Sequence, residues 1–200
     1  MNLDNLFNLL STTEFQNPES GSLFFPVYIY TYNPDEEYCF REELEILKNR
    51  LLRAAIYQDC MVINIYDVFI DFLKSRFLGN DSLFDLLIEQ EKIEGTDSIY
   101  EPTRDCAFGS DFFDFLNKKI MNSFNLQNEY KKVYIFIHGF GSIFPFLRLS
   151  EFVKLYEKYI NAGNYKIISF YPGKFENNHY YLFNELNNED FYRAILLNNN

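Results

Sequence analysis

The stretch of this chain richest in groups that do chemistry is His138-Gly139-Phe140-Gly141-Ser142. It follows an unbroken apolar run, Val133 to Ile137, and precedes Pro145-Phe146-Leu147-Arg148. Such a run reads as a strand buried on both faces, with a helix expected after the glycines. Backbone N–H groups at a strand-to-helix turn attract anions, and glycine lets a ligand or another backbone come close. Gly139, Gly141 and Ser142 are therefore the candidates for an anion or nucleotide turn, with Ser142 as the helix cap. A phosphate-binding P-loop also needs a lysine that reaches the phosphates, and none stands here. The dinucleotide pattern needs a third glycine for helix packing, and that is missing too.

Hydrolysis needs a nucleophile, a base and a group that orients the base. Ser142, His179 and Asp190 supply the residue types. The G-x-S-x-G elbow of α/β-hydrolases is absent, however, and Phe144 stands where its second glycine would be. His138 and His179 are the only histidines, and neither sits in a metal-ligand motif. No metal site is predicted from them. Asp35 and Asp67 follow the first two expected strands and could line one sheet edge, where magnesium would suit them. Their simpler role is that of first-turn acids at helix starts. The residues thus predict no cofactor and no complete catalytic set.

Arg148 stands near a helix start, an unfavourable end for a cation. That suits a carboxylate on a neighbouring element or a partner chain, or else a local surface pair. Tyr171-Pro172-Gly173 is expected to end a strand at the same edge. Phe183, Phe191, Tyr192 and Arg193 then form an aromatic tail. Aromatics and arginine are enriched at interface centres, although the same rings could cap a core.

The positioning elements follow from periodicity. Leu3, Leu6, Phe7, Leu9 and Leu10 predict a short amphipathic helix rather than a signal peptide. Phe24 to Tyr30 reads as a strand. Asn33-Pro34-Asp35-Glu36 opens a helix with apolar stripe Phe40, Leu44, Leu47, Leu51 and Ala55. Met61 to Tyr66 is a second strand, Asp67 to Phe77 a helix stopped by Gly79-Asn80, and Ser82 to Ile93 another helix. Residues 94–109 carry Gly95, Pro102 and Gly109 and are expected to be an irregular surface excursion. Ser110 caps a helix with inner face Phe113, Leu116, Ile120 and Phe124. After the glycine turn, one helix is expected to reach Ile160, burying Phe146, Leu149, Val153, Tyr156 and Ile160, and to end at Asn161 and Gly163. Tyr165 to Tyr171 is a strand stopped by Pro172-Gly173, Tyr181 to Leu186 a short helix, and Arg193 to Leu197 a last strand. The alternation predicts one α/β domain over residues 1–200, a three-layer open and mostly parallel sheet with helices on both faces.

The chain has 200 residues and a formal net charge of -11, with an apolar fraction of 48%. That is enough apolar mass for one packed core. The acidity argues against a lone nucleic-acid binder, which needs a basic stripe; only Lys118–Lys119 and Lys131–Lys132 form close basic pairs. An acidic surface suits a basic protein partner. Cys39, Cys60 and Cys106 are isolated and odd in number, which favours a reducing, cytoplasmic setting. No apolar run approaches a membrane span.

Three linked stretches carry a family resemblance: Phe136 to Arg148, Phe170-Tyr171-Pro172-Gly173, and Leu182-Phe183 to Asn188 with Phe191-Tyr192-Arg193-Ala194. Together with Tyr32-Asn33-Pro34 they resemble the BrxB family of BREX phage-defence systems. That resemblance implies a cytoplasmic α/β protein related to P-loop or Rossmann-like folds but without the Walker lysine. It implies a component with no established activity, working beside a DNA methyltransferase, an AAA+ ATPase and an alkaline-phosphatase-like protein. It marks Arg148, Tyr171, Pro172, Gly173, Tyr192 and Arg193 as motif positions for partner contact, self-association being a further option. It carries over no catalytic residue. A degenerate nucleotide-binding or hydrolytic module and a nucleic-acid-handling subunit are the alternatives.

Overall fold

A computed structural model describes residues 3–16, 27–53, 59–123, 133–160, 165–177, 179–189 and 194–198. Several positions named above lie outside these: Phe24, Ala55, Phe124, Lys131, Lys132, Asn161, Gly163, Asp190, Phe191, Tyr192 and Arg193.

The chain opens with helices α1 (Asp4–Leu10) and α2 (Thr13–Gln16), then strand β1 (Val27–Tyr32). Asn33 ends β1 and accepts a hydrogen bond from the Asp35 amide at 3.3 Å, so the Asn-Pro start works as the sequence predicts. A short 3-10 turn (Pro34–Glu36) leads into α3 (Glu37–Arg53). Strand β2 (Asp59–Asn64) feeds α4 (Ile65–Ser75), whose cap is Asn64. A hairpin of β3 (Phe77–Leu78) and β4 (Asp81–Ser82) precedes α5 (Leu83–Glu94), and Ser82 caps that helix. Then come α6 (Thr96–Phe108) and α7 (Ser110–Ser123). Strand β5 (Val133–His138) is followed by α8 (Phe140–Ile143) and α9 (Leu149–Tyr156). Strands β6 (Tyr165–Glu176), β7 (His179–Leu182), β8 (Leu186–Glu189) and β9 (Ile195–Leu196) close the chain.

Among the described residues five strands run in the order β2-β5-β6-β1-β9 with every pairing along that path parallel, and β7 and β8 join the sheet antiparallel through the far end of β6. All six residues of β5 are buried, as the unbroken apolar run predicts. Alternate residues serve two cores, because successive strand side chains point to opposite faces. Val27, Ile29, Ile63, Ile135, Ile137 and Ile167 pack on the side of α4 to α9. Tyr28, Tyr134, Phe136, Ile168 and Phe170 pack on the side of α1 and α3. There Phe40, Leu44, Leu47 and Leu51 form the predicted stripe. Each such side chain contributes about 1.5–3 kcal/mol when fully buried.

Four expectations are corrected. The supposed excursion at 94–109 is the ordered helix α6. Gly95, with φ 89°, and Gly109 delimit it, whereas Pro102 sits inside it. Buried Thr103 and Ala107 hold the helix on the core, so packing overrides the local breaker. The single helix expected up to Ile160 is divided into α8 and α9, because Pro145 cannot donate to a continuing ladder. Pro172-Gly173 does not stop β6. Pro172 is the last partner of β1, opposite Tyr32, and Gly173 is the first partner of β7, opposite Leu182. The proline thus stands where the strand changes from one ladder to another. Residues 181–186 form no helix but the β7–β8 turn, where Phe183 and Asn184 hold φ of 55° and 66°.

Candidate functional site

The carboxyl ends of β1, β2, β5 and β6 meet at one edge, where open α/β sheets keep their ligands. Asn64 of β2 stands opposite His138 of β5 in register. The Asn64 side-chain oxygen accepts from the Tyr66 amide at 3.1 Å and caps α4. Gly139, in the left-handed region at φ 89°, lies directly against that amide, and a Cβ there would overlap the Asn64 side chain. The glycine bend after β5 and the cap after β2 are therefore one interlocked unit.

Ser142 is not a cap. It lies within α8, its amide donating to the Gly139 carbonyl at 3.0 Å, and it is exposed. Gly141 leaves room for an aromatic ring: a Cβ would stand 2.8 Å from Phe183 and 3.1 Å from Pro172. The Phe183 amide donates to the Pro172 carbonyl at 2.9 Å, which fixes the hairpin tip over the glycine turn. Gly173 gives the same service to β7, since a Cβ there would overlap the Tyr181 carbonyl. Tyr171 is fully buried, edge-on to Tyr180 with centroids 5.6 Å apart; burial raises the Tyr180 phenol to about 12. Pro172 and Gly173 are buried as well.

His138 turns toward α3. Its ring is 7% exposed and edge-on to Phe40, 6.4 Å between centroids, and its Nδ1 has no hydrogen-bond partner. Burial lowers its pKa, and Arg41 acts the same way, while Glu37, Asp67 and Glu45 oppose them. Next to it, Tyr32 stacks on Phe40 at 4.0 Å and donates a short hydrogen bond to Glu37. Burial first and that bond second raise the Tyr32 phenol. The other Glu37 oxygen pairs with Arg41 Nε at 2.8 Å. The Glu-to-Arg spacing of four residues was the signal in the sequence for this group, but its packing against His138 depends on β1 and β5 being brought to one edge.

The other predicted residues are scattered. Ser169, which the sequence did not single out, is buried on the opposite face from His138, its Oγ without a hydrogen-bond partner. His179 is exposed on β7, away from the glycine turn in the chain's order. Asp35 and Asp67 are exposed in the first turns before and within α3 and α4. Among the described residues no group of three or more His, Cys, Asp or Glu is placed to hold a metal ion. Arg148 precedes α9; its backbone amide donates to Glu151 at 3.0 Å and its guanidinium lies over Phe144, 5.6 Å from the ring centre. No disulfide joins the three cysteines; Cys60 is buried and Cys39 exposed. No helix among the described residues is long and apolar enough to cross a membrane.

Comparison with known proteins decides the family. The profile described as "BREX protein BrxB" matches residues 61–197. The chain belongs to the BrxB family. It is also 22% identical over 196 residues to "BREX protein BrxB" of Bacillus cereus (strain H3081.97), an alignment covering 98% of this chain and 95% of the relative. The family resemblance read from the motifs is therefore correct, and BrxB proteins are components of BREX phage-defence systems. No solved structure matches the chain significantly. The profile spans β2 to β9, so the glycine turn, Arg148 and the Tyr-Pro-Gly segment fall within it, whereas β1 and the Glu37–Arg41 pair precede it.

Proposed function

We propose that this chain is a cytoplasmic binding component of a BREX phage-defence assembly, without a reaction of its own. It would work through contacts with the methyltransferase, AAA+ ATPase or phosphatase-like subunits. The observation that carries this reading is the relation to a BREX protein over nearly the full length of both chains. The strand-end chemistry supports it. His138 faces α3 from inside the molecule, Ser142 faces solvent, and the space beside Gly141 is taken by the Phe183 ring. A nucleotide at Gly139–Ser142 would have to displace that ring. The parallel sheet with helices on both faces supports a Rossmann-like architecture without the P-loop lysine.

Two kinds of surface fit partner contact. The β3–β4 hairpin presents Phe77 and Leu78, 65% and 64% exposed, and adjoining exposed apolar side chains are a mark of interfaces. Arg148 stands at the strand-end edge, and the buried Tyr171-Pro172-Gly173 segment acts on that edge by shaping it. Affinity purification of the tagged chain expressed with its own neighbouring genes tests the reading. Recovery of at least one other BREX subunit is expected, and Arg148→Glu or a Phe77→Ser/Leu78→Ser double variant should retain the circular dichroism of the parent while losing it. A clean chain that recovers none of them, or a pure chain that turns over a nucleotide, would end this reading.

A further inference from the structure

Strand β6 runs past the end of β1. Their pairing ends at Tyr32↔Pro172, and Asn33 then turns the chain toward α3. Over residues 173–176 β6 is paired with β7 alone. A strand has two hydrogen-bonding sides, so among the described residues one side of β6 is open there. Beside it lies a cleft of about 330 Å³. The end of β1 and residues Gly173, Lys174 and Phe175 of β6 line it, with Leu196 of β9 and Asn198 beyond. The cleft thus stands where a longer β1 would have continued, at the carboxyl ends of parallel strands, where open α/β sheets keep their ligands.

We propose that this cleft takes the free C-terminal carboxylate of an extended tail from a partner protein, the tail adding to the open side of β6. The proposal rests on the assembly reading above and names the chemistry of the partner. The open strand side selects a peptide, because an extended chain satisfies unpaired backbone groups as an added strand does. The volume is at the lower limit for small-molecule pockets, which suits the end of a chain better than a cofactor. Charge selects the carboxylate. Lys174 is the one charged residue lining the cleft, and no carboxylate lines it. Asn33 and Asn184 add side-chain amides. The Asn33 oxygen accepts from the Asp35 amide at 3.3 Å, which leaves its NH2 group to donate. Lys174 pairs with Glu176 at 2.8 Å, but the two side chains are 47% and 55% exposed. A pair so exposed is weak enough to exchange for a ligand carboxylate. The net charge of -11 disfavours anions over the surface at large, so a bound carboxylate reports these local donors.

Amide NMR of the isotope-labelled full chain tests this, with N-acetyl-trialanine as the probe in two forms, free acid and C-terminal amide. The acid should give saturable shifts centred on Thr31, Gly173, Lys174, Phe175 and Asn184, with a dissociation constant on the order of 1 mM. The amide should bind about fivefold more weakly, and so should the acid to Lys174→Gln, as for loss of one exposed charge pair. Glu176→Gln frees the lysine and should tighten the acid about twofold. No saturable shift by about 20 mM acid, equal binding of acid and amide, or undiminished binding by Lys174→Gln would overturn the proposal. Tighter binding of inorganic phosphate than of the acid peptide would overturn it too, in favour of a free anion. Co-purification with the neighbouring gene products separates the two readings. If the peptide fails while the parent recovers a BREX subunit, the cleft proposal falls and the assembly reading stands. If the parent recovers none while the acid peptide binds as described, the assembly reading falls and the carboxylate site stands on its own.

Discussion

At the scale of single residues, His138 shows how position sets chemistry. The sequence offers a histidine beside glycines, a setting that invites a catalytic reading. The fold instead seals the ring against Phe40 beside the Tyr32–Glu37–Arg41 group. Burial, aided by Arg41, holds its folded-state pKa below the 6.5 of a free imidazole. As pH falls below about 6.5 the unfolded chain takes up this proton first, so stability from neutral His138 is full above that pH. It is lost as pH falls toward the folded-state value, by about 1.4 kcal/mol for each unit of lowering. Urea unfolding of the parent and His138→Gln at pH 7.5 and 5.5 should therefore give a steeper acid loss for the parent. Identical slopes would show that the ring titrates as if exposed.

At the scale of elements, the shortest strand of the parallel sheet carries an unusual reinforcement. Strand β9 pairs with β1 through only Tyr28↔Ile195 and Ile29↔Leu196. Asn198 then extends the ladder with its side chain. Its Oδ1 accepts from the Thr31 amide at 3.0 Å, and its Nδ2 donates to the Thr31 carbonyl at 2.7 Å. An amide side chain thus replaces a strand residue, satisfying both backbone groups of Thr31. Asn198→Ala should cost about 1–2 kcal/mol in chemical denaturation, because it leaves part-buried groups unpaired. It should also speed amide exchange at Thr31 and across β9. Unchanged stability and exchange would mean that water serves Thr31 as well as Asn198 does. The two-residue strand was legible as an apolar segment near the end of the chain. The clasp was not, since nothing local links Asn198 to a threonine so distant in sequence.

At the scale of the whole molecule, the profile-matched segment is not a self-sufficient fold. Strand β1 lies between β6 and β9, in register with β6 from Val27↔Ile167 to Tyr32↔Pro172. Helices α1 and α3 cover Tyr134, Phe136, Ile168 and Phe170. The Tyr134 hydroxyl donates to the Leu10 carbonyl at 2.8 Å, which joins the first helix to a central strand. Removing residues 1–60 would strip one sheet face and open a gap in the sheet. A 61–200 fragment should therefore bind a hydrophobic dye and lack a sharp thermal transition, as loosely packed states do. A cooperative transition in that fragment would show that residues 61–197 hold the core alone.

Local signals in the sequence were enough for the α/β class, the buried β5 run, the Asn-Pro start before α3 and the family motifs. Each of these depends on periodicity, backbone freedom or neighbours a few residues away. Reading failed where a local signal met a stronger distant one. Pro102 is held inside α6 by the core beneath it, Pro172 carries β6 between two ladders, and residues 181–186 close a hairpin because β6 offers β7 an edge. The cleft, the Phe183 ring over Gly141 and the sealed His138 came from tertiary structure alone. They join residues that only the sheet order brings together, and no spacing along a chain encodes which strands become neighbours.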